Sequence, residues 1–105
     1  MNVVVKPHEL IKPLIREWRR SLSDDPEHRR ELAEVYWREL VRRISDAQGP
    51  PSGSVLDDTT LPPTYWCELT GGTWVQLVVL PDRRVRLFQI EREVVIINLA
   101  PHPRA

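Results

Sequence analysis

Alternating apolar and polar positions dominate residues 64–99. Four runs, at 65–69, 74–80, 85–90 and 94–99, are rich in Val, Ile, Leu and aromatic residues. Gly71-Gly72, Pro81-Asp82-Arg83 and Glu91-Arg92-Glu93 separate them. Runs of this length, bounded by Gly, Pro or charge, predict hairpin strands, here over 64–70, 73–80, 84–91 and 93–99.

Ahead of this meander the period changes to that of a helix. Leu10, Ile11, Leu14, Ile15, Trp18 and Leu22 form one stripe, with Lys12, Arg16, Arg19 and Arg20 opposite. Pro13 is tolerable in a first turn, so this helix begins near His8 with a kink or at Lys12. Asp25 is a good N-cap, Pro26 fits the first helical position and Glu27 suits the positive helix end. The second helix carries Leu32, Val35, Tyr36, Leu40, Val41 and Ile44, and stops by Gly49-Pro50-Pro51. Asn2 to Lys6 is a candidate first strand that Pro7 ends. Residues 50–63 lack periodicity and read as a loop, either a mobile functional segment or a spacer.

The resulting expectation is one α+β domain over 1–105. It comprises a short N-terminal strand (1–6), an antiparallel two-helix hairpin (8–49), a loop (50–63), an antiparallel β-meander (64–99) and a tail (100–105). Strict alternation places Tyr65, Cys67, Leu69, Val75, Leu77, Val79, Val85, Leu87, Val95, Ile97 and Leu99 on the helix-covered face. Trp66, Glu68, Trp74, Gln76, Val78, Arg84, Arg86, Phe88, Val94, Ile96 and Asn98 fall on the other face. Exposed aromatics and arginines have the composition of binding hot spots, which makes Trp66, Trp74, Gln76 and Phe88 partner-binding candidates. The competing arrangement folds Trp66 and Trp74 under the long loop and pairs the arginines with Glu68 or Glu91.

Charge content of 29% with no formal net charge argues against a protein that lives by neutralising phosphates. Cys67 is the single cysteine, so an internal disulfide and a cysteine-based zinc site are both excluded. Its strand position marks a small buried hydrophobe. The start has no apolar stretch long enough for a signal peptide, and no run could span a bilayer, so the expected location is cytoplasmic, away from membranes. No phosphate-binding glycine loop, zinc motif or nucleophile elbow is present, and no cofactor or metal is expected. Arg84 and Arg86, two residues apart, suit stabilisation of a phosphoryl transition state. Glu68 is the carboxylate of that face able to act as a general base, and His102 could swing onto the face from the tail.

The order of short strand, helical hairpin and meander, with Gly49-Pro50-Pro51, Gly71-Gly72 and the strands between Val85 and Leu99, resembles the RelE/ParE toxin superfamily. His102 with Arg104 is a Pro-interrupted echo of that family's His-Arg ending. The resemblance implies a toxin of a bacterial toxin–antitoxin module, bound and neutralised by a cognate antitoxin as a hetero-oligomer. One branch cleaves messenger RNA on the ribosome. In such an endoribonuclease Arg84 and Arg86 would hold the phosphate charge and Glu68 or His102 would move the proton, without a metal. The other branch blocks gyrase by binding, and a small accessory subunit is a third use of the layout. The neutral charge, with no Lys after Lys12 and no Tyr after Tyr65, departs from the nuclease pattern.

Overall fold

The computed structural model describes residues 1–103, so Arg104 lies outside the described residues. The fold is α+β: an N-terminal strand, two helices, then a mostly antiparallel sheet. Strand β1 (Asn2–Pro7) leads into a 3-10 turn (Glu9–Ile11), then α1 (Lys12–Leu22) and α2 (Pro26–Ala47). There follow β2 (Val55–Asp57), β3 (Thr64–Thr70), β4 (Thr73–Val79), β5 (Arg83–Arg86) and β6 (Gln89–Ala100).

The helix starts follow local chemistry. His8 caps the 3-10 turn through its Nδ1, which accepts from the Leu10 amide at 3.1 Å, and α1 then begins at Lys12 with Pro13 in its first turn. The Asp25 carboxylate accepts from the Glu27 amide at 3.1 Å, and Pro26 opens α2. Gln48 ends α2 at φ 55, and the Gly49 amide donates to the Ile44 carbonyl at 3.1 Å. This left-handed cap closes the last helical turn.

Both helices pack on one face of the sheet. The core joins Ile11, Trp18, Ala33, Leu40 and Ile44 to Cys67, Leu69, Val75, Leu77, Val94, Ile96 and Leu99. The α2 stripe is therefore Ala33, Trp37, Leu40 and Ile44, with steps of four, three and four. Val35 and Tyr36, expected in that stripe, are exposed, as is Leu10 of the first-helix stripe. Trp18 and Trp37 meet at a centroid distance of 6.5 Å, and the Trp18 indole donates to Thr70 Oγ1 at 3.3 Å.

Sheet order is β1-β6-β4-β3-β2, with β5 paired to β6 off that path. The last strand is thus interior to the sheet, parallel to β1 and antiparallel to β4. Its faces depart from strict alternation. Leu77 pairs with Ile96, whereas Gln76 pairs with Asn98, so Ile97 is an extra residue in β6. Such a bulge reverses the phase of a strand. Val94 and Ile96 consequently join Leu99 in the core, correcting their assignment to the open face, while Val95 takes the opposite side.

Two further expectations are corrected. Residues 55–57, read as loop, form the edge strand β2 on β3. The stretch Glu91-Arg92-Glu93, read as a break, is the interior of β6, and the chain turns at Leu87-Phe88 instead. Strands β4 and β5 are two segments of one long antiparallel partner of β6, interrupted at Pro81. The Leu80 amide still donates to the Glu93 carbonyl at 2.9 Å, but Pro81 has no N–H to continue the ladder.

Candidate functional site

The open face at β2 and β3 is closed by its own chain. Trp66 points away from the helices yet is only 1% exposed. Its indole donates to Asp57 Oδ2 at 3.4 Å, and Asp57 Oδ1 accepts from the Thr59 amide at 3.0 Å and from the Thr59 hydroxyl. Bonds from the Thr59 hydroxyl, its amide and then the Trp66 indole hold the Asp57 carboxyl below its ordinary value, against the opposing effect of burial. Alongside, Gln76 Nε2 donates to Thr64 Oγ1 at 2.8 Å, and Thr60 and Thr64 share a hydroxyl bond of 3.1 Å. Trp66 and Gln76 are therefore interior residues of a small second core, which corrects their assignment to a partner surface. Trp74 remains half-buried beside exposed Glu68.

The expected catalytic residues lie at opposite ends of β6. Glu68 pairs with Trp74, and Trp74 pairs with Ala100, two residues before His102. Arg84 pairs with Ile90, at the far end. Ten residues of strand at about 3.3 Å each separate the two ends by roughly 30 Å. A general acid or base works only within hydrogen-bond reach of the proton it moves. Arg84 and Arg86 thus share no site with Glu68 or His102. Alternation along β6 also sets Ile90, and hence Arg84, on the side of Arg92, Val94 and Ile96, beyond the helices rather than on the open face.

What the far end does present is a projecting two-stranded arm, β5 with the start of β6. All residues from 81 to 90 are exposed. Phe88 is 95% exposed and Leu87 72%, with Val85, Ile90 and Met1 also exposed. Met1 and Phe88 line one shallow pocket with Asn2, Gln89 and Ile90. Ion pairs brace the base of the arm. Arg92 grips Asp82 with two bonds of 2.8 and 2.9 Å and donates a third at 2.6 Å to the Gln48 carbonyl ending α2. Arg83 bonds Glu91 at 2.8 Å, and Lys6 pairs with Glu93. The Arg92 bond holds the Asp82 carboxyl below its ordinary value. Among the described residues, Arg84 and Arg86 pair with no carboxylate.

Sequence reasoning missed the tip because its turn has no turn-forming residue. Two-residue hairpin turns favour Asn-Gly or Asp-Gly, which accept positive φ. Leu87 and Phe88 offer the backbone nothing of this kind, and neither takes a positive φ. Large hydrocarbons held in water at a turn are the signal that could have located the arm.

A second concavity, about 660 Å³, lies between α1 and α2, lined by Ile15, Trp18, Ala33 and Trp37 with Arg19 and Arg30 at its margin. Every buried side-chain nitrogen and oxygen among the described residues has a hydrogen-bond partner. Among those residues no group of three or more His, Cys, Asp or Glu is placed to hold a metal ion, and no helix is long and apolar enough to cross a membrane. Comparison with protein-family models, with curated proteins and with solved structures returns no match.

Proposed function

We propose that the chain is a toxin-like protein-binding module of the RelE/ParE layout, which acts by occupying a protein target through the β5–β6 arm. The observation that carries this reading is the exposure of Leu87 and Phe88 at a turn that gains nothing from either residue. Apolar side chains at a projecting tip reach their lowest free energy when a partner covers them. The roughly 30 Å between the arginines and the proton-transfer candidates supports binding over RNA cleavage. A cognate antitoxin belongs to the same proposal, as the protein that neutralises the module in the cell.

The test is inducible expression of the wild-type chain and of the double variant Leu87→Ser/Phe88→Ser, with growth, messenger RNA integrity and DNA supercoiling read separately. Wild type should arrest growth with messenger RNA intact, and altered supercoiling would identify a gyrase-type target. The double variant should relieve the arrest while its melting temperature stays within a few degrees of wild type, since neither side chain is buried. Site-specific cleavage of messenger RNA by the purified chain on ribosomes, or undiminished arrest by the variant, would overturn the reading.

A further inference from the structure

The cleft between the helices is built apart from the arm. Trp18 and Arg19 of α1 face it, as do Arg30, Ala33, Glu34 and Trp37 of α2. The α2 residues stand three and four apart and so share one side of that helix. Trp18 and Ala33 are core residues, 5% and 2% exposed, and form its floor. The core stripe of α2 is otherwise large, with Trp37, Leu40 and Ile44, and the small side chain of Ala33 leaves the space open. Its volume of about 660 Å³ falls within the range of about 300–1,000 Å³ usual for small-molecule sites. The Trp18 indole is engaged by Thr70 Oγ1, whereas the half-buried Trp37 indole donates to no protein atom among the described residues. No buried nitrogen among those residues lacks a partner, so the Trp37 N–H is open to a ligand. Glu34 is neutralised by Arg38 at 3.0 Å. Arg19 and Arg30, one from each helix, pair with no carboxylate among the described residues. Aromatic walls with two uncompensated positive charges result.

We infer that this cleft binds a small organic anion with a flat aromatic body, of the aryl carboxylate class. The site owes nothing to the arm and stands whether or not the arm meets a target. A planar ring packs against Trp37 in the offset or edge-on geometry that aromatic pairs favour. Its carboxylate accepts from a guanidinium, which offers two parallel N–H donors, and the Trp37 N–H supplies a further donor. A cationic ligand would add to the repulsion between Arg19 and Arg30, and a neutral ring would leave it unrelieved. An aliphatic acid would meet the charge without the stacking. Size decides against a protein segment. A three-turn helix, about 10 Å across and 16 Å long, displaces about 1,200 Å³, nearly twice what the cleft holds.

The probe is 2-naphthoate, compared with its neutral isostere 2-naphthamide. The readout is the indole N–H resonance of each of the four tryptophans in the nitrogen-labelled chain, with Trp37→Phe assigning the signal of interest. Naphthoate should shift the Trp37 indole saturably, with a Kd of roughly 0.1–1 mM for a ligand of this size. The Trp66 indole, sealed against Asp57, should not move. Naphthoate should bind about tenfold tighter than the amide, since hydrogen bonds to charged groups are the stronger ones. Arg19→Gln/Arg30→Gln should weaken naphthoate about tenfold and leave the amide unchanged, which removes the preference. Both positions are exposed, and circular dichroism confirms that the variant folds. Equal affinity for the two probes would overturn the inference, as would undiminished naphthoate binding by the double variant. A Trp37 signal that stays still up to about 5 mM naphthoate would do the same. Shifts centred on residues 83–90 would place the anion on the arm and overturn it. So would an acidic peptide that displaces naphthoate and binds the cleft more tightly, which would make the cleft a protein-docking site.

Discussion

Replacing Trp66 with Ala removes the largest fully buried side chain of the molecule, and from the face of the sheet that carries no helix. A buried tryptophan withdraws 150–250 Å² from water, worth ~4–6 kcal/mol at about 25 cal/mol per Å². That figure is an upper value, because the unfolded chain already shields part of the ring. Measured truncations of buried aromatics cost about 3–5 kcal/mol, so a loss of about 4 kcal/mol is expected. The indole bond to Asp57 adds to this, since truncation leaves Asp57 Oδ2 without that partner. For a domain of this size the melting temperature should fall by roughly 20 °C. Urea unfolding followed by circular dichroism measures the loss without relying on the fluorescence of the residue removed. Trp74→Ala, at a half-buried position on the same face, should cost about 1–2 kcal/mol. A loss under about 1.5 kcal/mol for Trp66→Ala, or equal losses at the two sites, would refute a second core beneath residues 57–64.

Three other outcomes follow from local chemistry. The Asp57 carboxyl titrates below its ordinary value of 3.8, so its charged form stabilises the fold above that pH and the contribution drains away as pH falls through the folded value. Wild type should lose more stability than Asp57→Asn between about pH 4 and pH 3, and parallel losses would count against the hydrogen-bonded carboxylate. Gln48→Gly should raise stability by about 0.5–1 kcal/mol, because Gln48 sits at φ 55 and glycine adopts that conformation without steric cost; a lower denaturation midpoint would contradict this. Burial pushes the Cys67 thiol up to about 11, so native labelling by a thiol reagent at neutral pH should run about a hundredfold slower than in urea, and equal rates would disprove its burial.

Elements with strong local chemistry were legible in the sequence. Asp25-Pro26 marked the start of α2, the Val-rich segment after Asn2 marked β1, and Gly71-Gly72 marked the β3–β4 hairpin. What escaped depends on pairing between distant residues. The extra residue at Ile97 reverses the phase of β6, and only its register against β4 reveals that. Glu91-Arg92-Glu93 resembles a turn because its charges are satisfied by partners on neighbouring strands: Arg83 and Asp82 across the hairpin, and Lys6 at the other end of the chain. The apparent binding face was legible in composition but not in accessibility. Trp66 and Gln76 have the chemistry of a contact surface, and residues 57–64 convert it to interior by supplying hydrogen-bond partners. Phe88 was the candidate whose exposure the structure preserves.

The interior position of β6, between β1 and β4, bears on how the chain is made. During synthesis β1 emerges first and has no neighbour until residues 91–96 follow, since its register runs from Asn2 on Glu91 to Pro7 on Ile96. Strand β4 likewise lacks one side until residues 94–100 appear. A chain interrupted before that point would expose two unpaired edges and the apolar side of its helices together, the substrate that chaperones and proteases take up. Pairing β1 with β6 closes a loop of almost ninety residues, a long-range contact of the kind that slows folding. The same strand carries one side of the projecting arm, so the arm and the finished sheet arise in a single event. Incomplete chains therefore lack the proposed binding surface as well as the fold.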